Sequence, residues 1–443
     1  MTAREVLGLS VCGAVMIGAV IAGNSAVTRQ ARPDRITVTY WEKWTGDEAK
    51  EMRKVVDAFN RSQDKIYVQY LSISGVDTKT MLATAGGNPP DVAGIWLDQL
   101  CEFSDAKALT DLSQMAKESG LGPDYYIKGY WDPLNYRGGL WALPSTPASV
   151  ALHVRTDLVP ADVATPETFP KTLDGLDRLT EKISRRKKNG DLTMAGFLPS
   201  DPGWWNWSWG MYFGGTLVDG DKLTIDSPEN IRAFKWIKKY ADMFGAKEVQ
   251  SFQSGFANFA SPQDPFMLGK VATEINGTWK GSYIHVFKPG IPWFAVPFPY
   301  PDDRPDLEGH TNLSQDVLTI PRGAKHVKEA FEFIRFVQRQ DVMEGLCEGH
   351  GKNSPLRNVS DKFFDSFVSS NRNKYIRLFD KLARSPKAFS PPQIGILPQL
   401  QNEMNVAFQE VSTEEKSPEQ ALHDAQQRVT VMWDTYKSQV LNQ

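Results

Sequence analysis

Between Ile36 and Leu71 the chain reads strand, helix, strand, and this unit restricts the fold more than any other stretch. Ile36-Thr-Val-Thr-Tyr40 alternates β-branched and aromatic residues, the make-up of a half-buried strand. Ala49, Met52, Val55, Val56 and Phe59 then recur at helical spacing, behind Asp47 and Glu48, two acids suited to the positive end of a helix. Asn60 to Asp64 breaks that helix, and Ile66 to Leu71 supplies the second strand. A β-α-β unit belongs to an α/β sheet flanked by helices. At 443 residues the chain exceeds one ordinary domain, so two domains of roughly 200 residues are expected.

The aromatic residues carry most of the functional signal. The chain has 13 Trp, 13 Tyr and 23 Phe, and many of the Trp lie in polar, turn-rich sequence where a core would not place them. Directly after the first strand, Trp41-Glu42-Lys43-Trp44 sets two indoles and a carboxylate in one short loop. A cleft is one reading of that loop, and a cap on the core is the other. Gly86-Gly-Asn-Pro-Pro-Asp91 enforces a turn, and the strand Val92 to Trp96 again ends in an aromatic followed by an acid, Asp98. Trp204, Trp205, Trp207 and Trp209 fall within six residues. An indole N–H needs a partner when desolvated, so the four are hard to bury together. Trp204 and Trp205 are assigned to a cleft, and the other two to packing. Val271, Thr273 and Ile275 alternate as a strand that runs into a turn-forming Asn276-Gly277, which places Trp279 at the carboxyl end of a strand. Ligands of open α/β sheets bind there.

Charge and motifs exclude several classes. The net charge is 50 − 53 = −3, too small a field to recruit nucleic acid or an anionic membrane. There is no His-Glu-x-x-His, no Gly-x-Ser-x-Gly and no phosphate loop, and the six His are scattered. No catalytic residue, metal site or cofactor is therefore assigned. The rival from another class is a secreted glycoside hydrolase, for which Glu42, Asp98, Glu274 and Asp316 are the carboxylates on offer. At the N-terminus, Arg4, the apolar run Val6 to Ala22 and the small residues Gly23-Asn-Ser-Ala26 mark residues 1–30 as a signal peptide or a membrane anchor. Cys12 fits a lipidation motif poorly, because Val11 precedes it and most of the apolar run follows it. Export to an oxidising compartment leaves two readings for Cys101 and Cys347, one long-range disulfide or two buried thiols.

Several motifs occur in a familiar order. They are Gly87-Asn-Pro-Pro-Asp-Val92 feeding a buried strand, Gly138 to Pro144 leading through Val150–Val154 to Asp157-Leu158, and Pro166-Glu-Thr-Phe ahead of Leu173. Asp226-Ser-Pro-Glu229, Gly269-Lys270 before the strand and Asn276-Gly-Thr-Trp279, and Gly351 to Arg357 follow, and then a Ser417-Pro-Glu-Gln420 capping box opens the last helix. From Ile36 to the C-terminus this resembles the extracellular solute-binding proteins of carbohydrate ABC importers, the maltose-binding-protein-like family.

The resemblance implies a two-lobed periplasmic-binding-protein fold of type II. Each lobe would be a mixed sheet flanked by helices, with a ligand cleft between the lobes. From the family's chain crossings, residues 36–146 with 312–358 form one lobe and 147–311 with 359–443 the other. Both cysteines would then lie in the first lobe. The implied ligand set is Trp41, Glu42, Trp44, Trp96, Asp98, Trp204, Trp205, Asn276, Gly277, Trp279, Asn312 and Arg357, the last reaching ligand hydroxyls or a hinge carboxylate. The implied partners are a carbohydrate and a permease in the inner membrane, with the receptor a periplasmic monomer. A membrane-anchored sugar sensor would keep the same cleft.

Overall fold

The computed structural model describes residues 34–257 and 260–441. The expected signal or anchor at 1–30, with Cys12, lies outside them. No helix among the described residues is long and apolar enough to cross a membrane.

The first unit forms as expected. Ile36–Glu42 pairs in parallel with Ile66–Ser72 on one side and with Val92–Trp96 on the other. The helix Gly46–Ser62 joins the first two strands and buries Met52, Val55, Val56 and Phe59. Its last turn holds the neighbouring strand by side-chain bonds. Asn60 Nδ2 donates to the Val68 carbonyl at 3.0 Å and Asn60 Oδ1 accepts from the Val68 N–H at 2.8 Å, so both backbone groups of this outermost strand are satisfied there.

The sheet continues across the molecule in the order 273–277, 143–155, 311–319, 92–96, 36–42, 66–72. Every residue of the long strand Leu143–Arg155 is buried. Its first half pairs with Thr311–Thr319 from Leu143 opposite Leu318 to Ser149 opposite Leu313. Its second half pairs with Thr273–Gly277, from Val150 opposite Gly277 to Val154 opposite Thr273, and also with Trp293–Val296. One strand therefore passes from one body into the next. The register shifts opposite Asp316, where Gln315 faces Pro147 and Val317 faces Pro144. This irregularity re-aims side chains at the junction.

Two main cores lie on either side. One gathers Val38, Tyr40, Phe59, Ile95, Phe103, Phe333 and Ile334 under the parallel strands. The other gathers Leu152, Phe197, Trp209, Trp236, Phe298, Met404 and Trp433 among the helices Pro228–Phe244, Leu397–Ser412 and Pro418–Tyr436. Helix starts follow the chemistry of their caps. Ser227 Oγ accepts from Asn230 N–H at 3.4 Å ahead of Pro228, and Ser417 Oγ from Gln420 N–H at 3.2 Å ahead of Pro418. The helix Asp361–Ser369, just past the expected boundary at 358, sends Phe363, Phe364 and Phe367 into the first core.

Two local expectations change. Asn276 and Gly277 end a strand rather than make a turn. The basic run Arg185 to Lys188 reads as a solvated helix end, but Arg185–Arg186 pairs as a short strand with Leu192–Met194. Of the two readings left open for Cys101 and Cys347, the structure has the two free buried thiols; Cys347 Sγ lies 3.8 Å from Met343 Sδ within its own helix, and Cys101 sits on the short helix Leu100–Asp105.

Candidate functional site

Between the two cores lies a cavity of about 360 Å³ lined by Trp44, Glu48, Trp96, Trp204, Trp205, Trp279, Ser314 and Lys352. Its volume falls at the small end of ligand pockets, which run from about 300 to 1,000 Å³. Six segments far apart in sequence supply these residues.

Strand alternation explains the first contribution. The first strand extends past Tyr40 to Glu42, so Val38, Tyr40 and Glu42 share the inward face and Trp41 falls on the other. Trp44, beyond the strand end, lines the cavity. Trp96 is the last residue of its strand, remains 41% exposed, and meets Trp44 edge to face at 5.5 Å. On the facing side Trp204 and Trp205 precede the tight helix Asn206–Phe213 and contact each other at 5.5 Å. Both lie 6.1 Å from the Trp279 ring. Trp207 and Trp209 are instead buried in the second core, Trp209 against Trp236 at 5.3 Å. Gly277 serves close packing. A Cβ there would stand 2.4 Å from the Trp279 ring, so only glycine lets the indole lie back over the strand end.

A ladder of buried charge runs beneath the indoles. Glu42 Oε2 accepts from the Tyr40 hydroxyl at 2.5 Å, and Glu42 Oε1 from the Lys43 N–H at 2.8 Å and Lys43 Nζ at 3.1 Å. Room for this carboxylate exists because residue 94 is glycine: a Cβ would fall 1.9 Å from Glu42 Oε2. Lys43 Nζ also lies 3.2 Å from Asp316 Oδ1, while Asp316 Oδ2 accepts from Lys352 Nζ at 2.7 Å and from Thr146 Oγ1 at 2.9 Å. Burial alone would raise the Asp316 carboxyl, but the two ammonium groups outweigh it and hold it below the usual carboxylate range. For Lys43, burial opposes the charge, yet Asp316 and Glu42 prevail and the amine is raised. The ammonium groups also lie over indole faces. Lys43 is 4.7 Å and 4.5 Å from Trp44 and Trp96, and Lys352 is 4.4 Å and 5.6 Å from Trp44 and Trp279.

Of the twelve residues expected at the site, five line the cavity: Trp44, Trp96, Trp204, Trp205 and Trp279. Glu42 and Gly277 support it from behind. Asn276 is fully buried, its amide bonded to Glu274 and its Oδ1 accepting from the Gly277 N–H at 2.8 Å. Asp98 accepts from Gln401 Nε2 at 2.8 Å, a bond from the first body to the second, and burial raises its carboxyl. Asn312 is buried on the returning strand two residues from Ser314, on the same face of that strand, but does not line the cavity. Trp41 is half-buried on the opposite face of its strand. Arg357 lies elsewhere: it pairs with Asp124 at 2.8 Å, remains 59% exposed, and borders a separate hollow with Lys128 and Arg384.

Sequence reasoning missed Glu48, Ser314 and Lys352 as cavity residues. Glu48 carried only the signal of an acid at a helix start. Lys352 follows Gly351, which ends the helix Gln340–His350 at φ 67°, and its link to Asp316 depends on tertiary placement alone. Among the described residues, the half-buried Glu48 carboxylate has no hydrogen bond or ion pair. Burial pushes its pKa up, and Lys352 opposes that shift.

Two α/β bodies around an aromatic cavity, joined by a shared strand, make up the type II periplasmic-binding-protein fold. Residues 54–370 match the model of the bacterial extracellular solute-binding protein family, and the chain belongs to that family. Among its relatives is the multiple sugar-binding protein of Streptococcus mutans, 23% identical over 77% of this chain and 83% of that one. Another is the sn-glycerol-3-phosphate-binding periplasmic protein of Pectobacterium atrosepticum, 20% identical over 88% and 90%. Among solved structures, CpMnBP1 with mannobiose bound superposes with a TM-score of 0.76 at 24% identity, covering 88% of this chain and 98% of that one. The cyclic alpha-maltosyl-1,6-maltose binding protein of Arthrobacter globiformis gives 0.71 at 19% identity, covering 90% and 100%.

Proposed function

We propose that this protein captures a sugar or short oligosaccharide in the cavity between its two bodies and delivers it, outside the cytoplasm, to the permease of an ABC importer. The observation that carries the reading is the set of five indoles from both bodies facing one cavity above a polar floor. Sugars present apolar C–H faces and hydroxyl edges. Indoles stack on the faces, each contributing about 0.5–1.5 kcal/mol by analogy with aromatic pairs. Glu48 and Ser314 hydrogen-bond the edges, with bonds to charged groups contributing about 1.5–3 kcal/mol. Two or three of each, less the cost of immobilising the ligand, reach micromolar affinity near −8 kcal/mol. The sugar-binding relative and the mannobiose-bound neighbour support this class of ligand.

The division into lobes at 36–146 with 312–358, and 147–311 with 359–443, is proposed with the helix Asp361–Ser369 moved to the first lobe, because its phenylalanines join that core. The receptor acts as a monomer, and residues 1–30 direct its export. No bond of the ligand is broken, a reading supported by Glu48 being the one carboxylate that lines the cavity among the described residues. Glycoside hydrolysis uses two, and Glu42, Asp98, Glu274 and Asp316 are all engaged with other side chains. The test is thermal unfolding of residues 31–443 against a panel of mono- and oligosaccharides, followed by chromatography of the recovered sugar. A ligand at a hundredfold its Kd adds about 2.7 kcal/mol. A shift with intact sugar upholds the reading. Cleaved sugar hands the cavity to hydrolysis, and no shift across the panel removes the carbohydrate assignment.

A further inference from the structure

We infer that the cavity admits neutral or amino-bearing sugars, rejects phosphorylated and carboxylated ones, and that Glu48 sets this selection. The inference rests on the reading of the cavity as a sugar site.

A site that reads a phosphate presents cationic donors free to approach its oxygens. The two lysines here are already committed. Lys43 lies 3.1 Å from Glu42 and 3.2 Å from Asp316, and Lys352 lies 2.7 Å from Asp316. Two ammonium groups and two carboxylates cancel, 2 − 2 = 0, so the floor beneath the indoles is neutral. The fifth charge in this group is Glu48, which lines the cavity and has no counter-ion bound to it among the described residues. Asp77 adds a further acid behind Trp96, where its Oδ1 accepts from the Trp96 N–H at 3.3 Å. An anionic ligand would meet an uncompensated carboxylate in a partly desolvated site, and would have to pull Lys352 away from Asp316 to find a partner. Indole faces are also electron-rich, so they favour a cation over an anion. An ammonium group on the sugar would meet Glu48 directly. The cavity thus differs in charge logic from what sn-glycerol 3-phosphate, the ligand named for one relative, would require.

The experiment takes the tightest neutral disaccharide from the panel above and compares it by titration calorimetry with its 6-phosphate and its 2-amino-2-deoxy analogue. Free sn-glycerol 3-phosphate is titrated alongside. The 6-phosphate is expected to bind at least ~30-fold more weakly than the neutral sugar, the amino form at least as tightly, and glycerol phosphate without measurable heat. In Glu48→Gln the gap between neutral and phosphorylated sugar should narrow at least ~5-fold, and in Glu48→Asp, which keeps the charge, it should return. A phosphorylated sugar within threefold of the neutral one, or micromolar glycerol phosphate, overturns the inference while leaving the cavity a sugar site. An unchanged gap in a folded Glu48→Gln overturns the role of Glu48. Binding of no sugar of any charge removes the underlying reading and this inference with it.

Discussion

Replacing Asp316 by asparagine probes the charge ladder with little change of shape. In the wild type the carboxylate is buried and bonded by Lys352 at 2.7 Å, Thr146 at 2.9 Å and Lys43 at 3.2 Å. The neutral amide of Asp316→Asn would leave two buried ammonium groups sharing Glu42, which contacts only Lys43. Removing one partner of a buried ion pair costs about 3–5 kcal/mol. At about 2.1 cal/mol/K per residue, the roughly 400 described residues give an unfolding entropy near 0.85 kcal/mol/K, so Tm should fall by about 4–6 °C at pH 7. The pH dependence gives a second, sharper check. Because the folded-state pKa of Asp316 is depressed, its stabilisation is present above the unfolded value of about 3.9 and is lost as pH falls through the lower folded value. Wild type and variant should therefore differ by a constant amount from pH 7 to 5 and converge below about pH 4. Differential scanning calorimetry at five pH values measures this. A difference under 1 °C at pH 7, or one that has vanished by pH 6, would refute the account.

Other perturbations are simpler. Trp279→Ala should weaken sugar binding by about 2- to 12-fold with Tm nearly unchanged, because the ring is half-buried on the cavity wall; titration calorimetry reads the first and a melt the second. Gly94→Ala should destabilise by about 1–3 kcal/mol, since its Cβ would overlap Glu42 Oε2, whereas Gly122→Ala, with open space around it, should be neutral in urea titrations. Glu274 has its carboxyl pushed up to about 7, chiefly by burial against the pull of Lys280. Its contribution is thus greatest at low pH and lost as pH rises through 7, by at most about 1.4 kcal/mol per pH unit, and Glu274→Gln should flatten that part of the stability profile. Cys101 has its thiol pushed up to about 12 by burial, so native protein should resist thiol reagents, while unreduced, denatured residues 31–443 should yield two free thiols.

What could be read from sequence was whatever local periodicity encodes. The β-α-β start was legible because Met52, Val55, Val56 and Phe59 mark one helical face between two β-branched runs. The indoles at 204 and 205 could be separated from those at 207 and 209 by crowding and facing alone. The polar part of the site was much less legible. Alternation of β-branched residues stops at Tyr40 and places Glu42 in a loop; two more residues of strand turn that carboxylate inward. Arg357 follows Ser354-Pro355, as the family pattern leads one to expect, but Asp124 draws it to the outer surface. Lys352 and Asp316 are 36 residues apart and neither has a distinctive neighbour, so their ion pair belongs to tertiary placement and leaves no trace in spacing.

The strand Leu143–Arg155, whose two halves are laddered to different partners, also bears on energetics. A receptor whose halves met only at a soft interface could melt one half while the other stayed ordered, and a heating scan would resolve two peaks. Here neither half can lose its central sheet without unzipping residues that the other half pairs through Ser149 and Val150. Asp98–Gln401 and Tyr436–Asp105, at 2.8 Å and 3.0 Å, tie the far helices in as well. Heat should thus be absorbed in one cooperative event, and any hinge motion must be a twist of continuous β-structure, elastic and self-restoring, rather than the swing of two bodies on a slack tether.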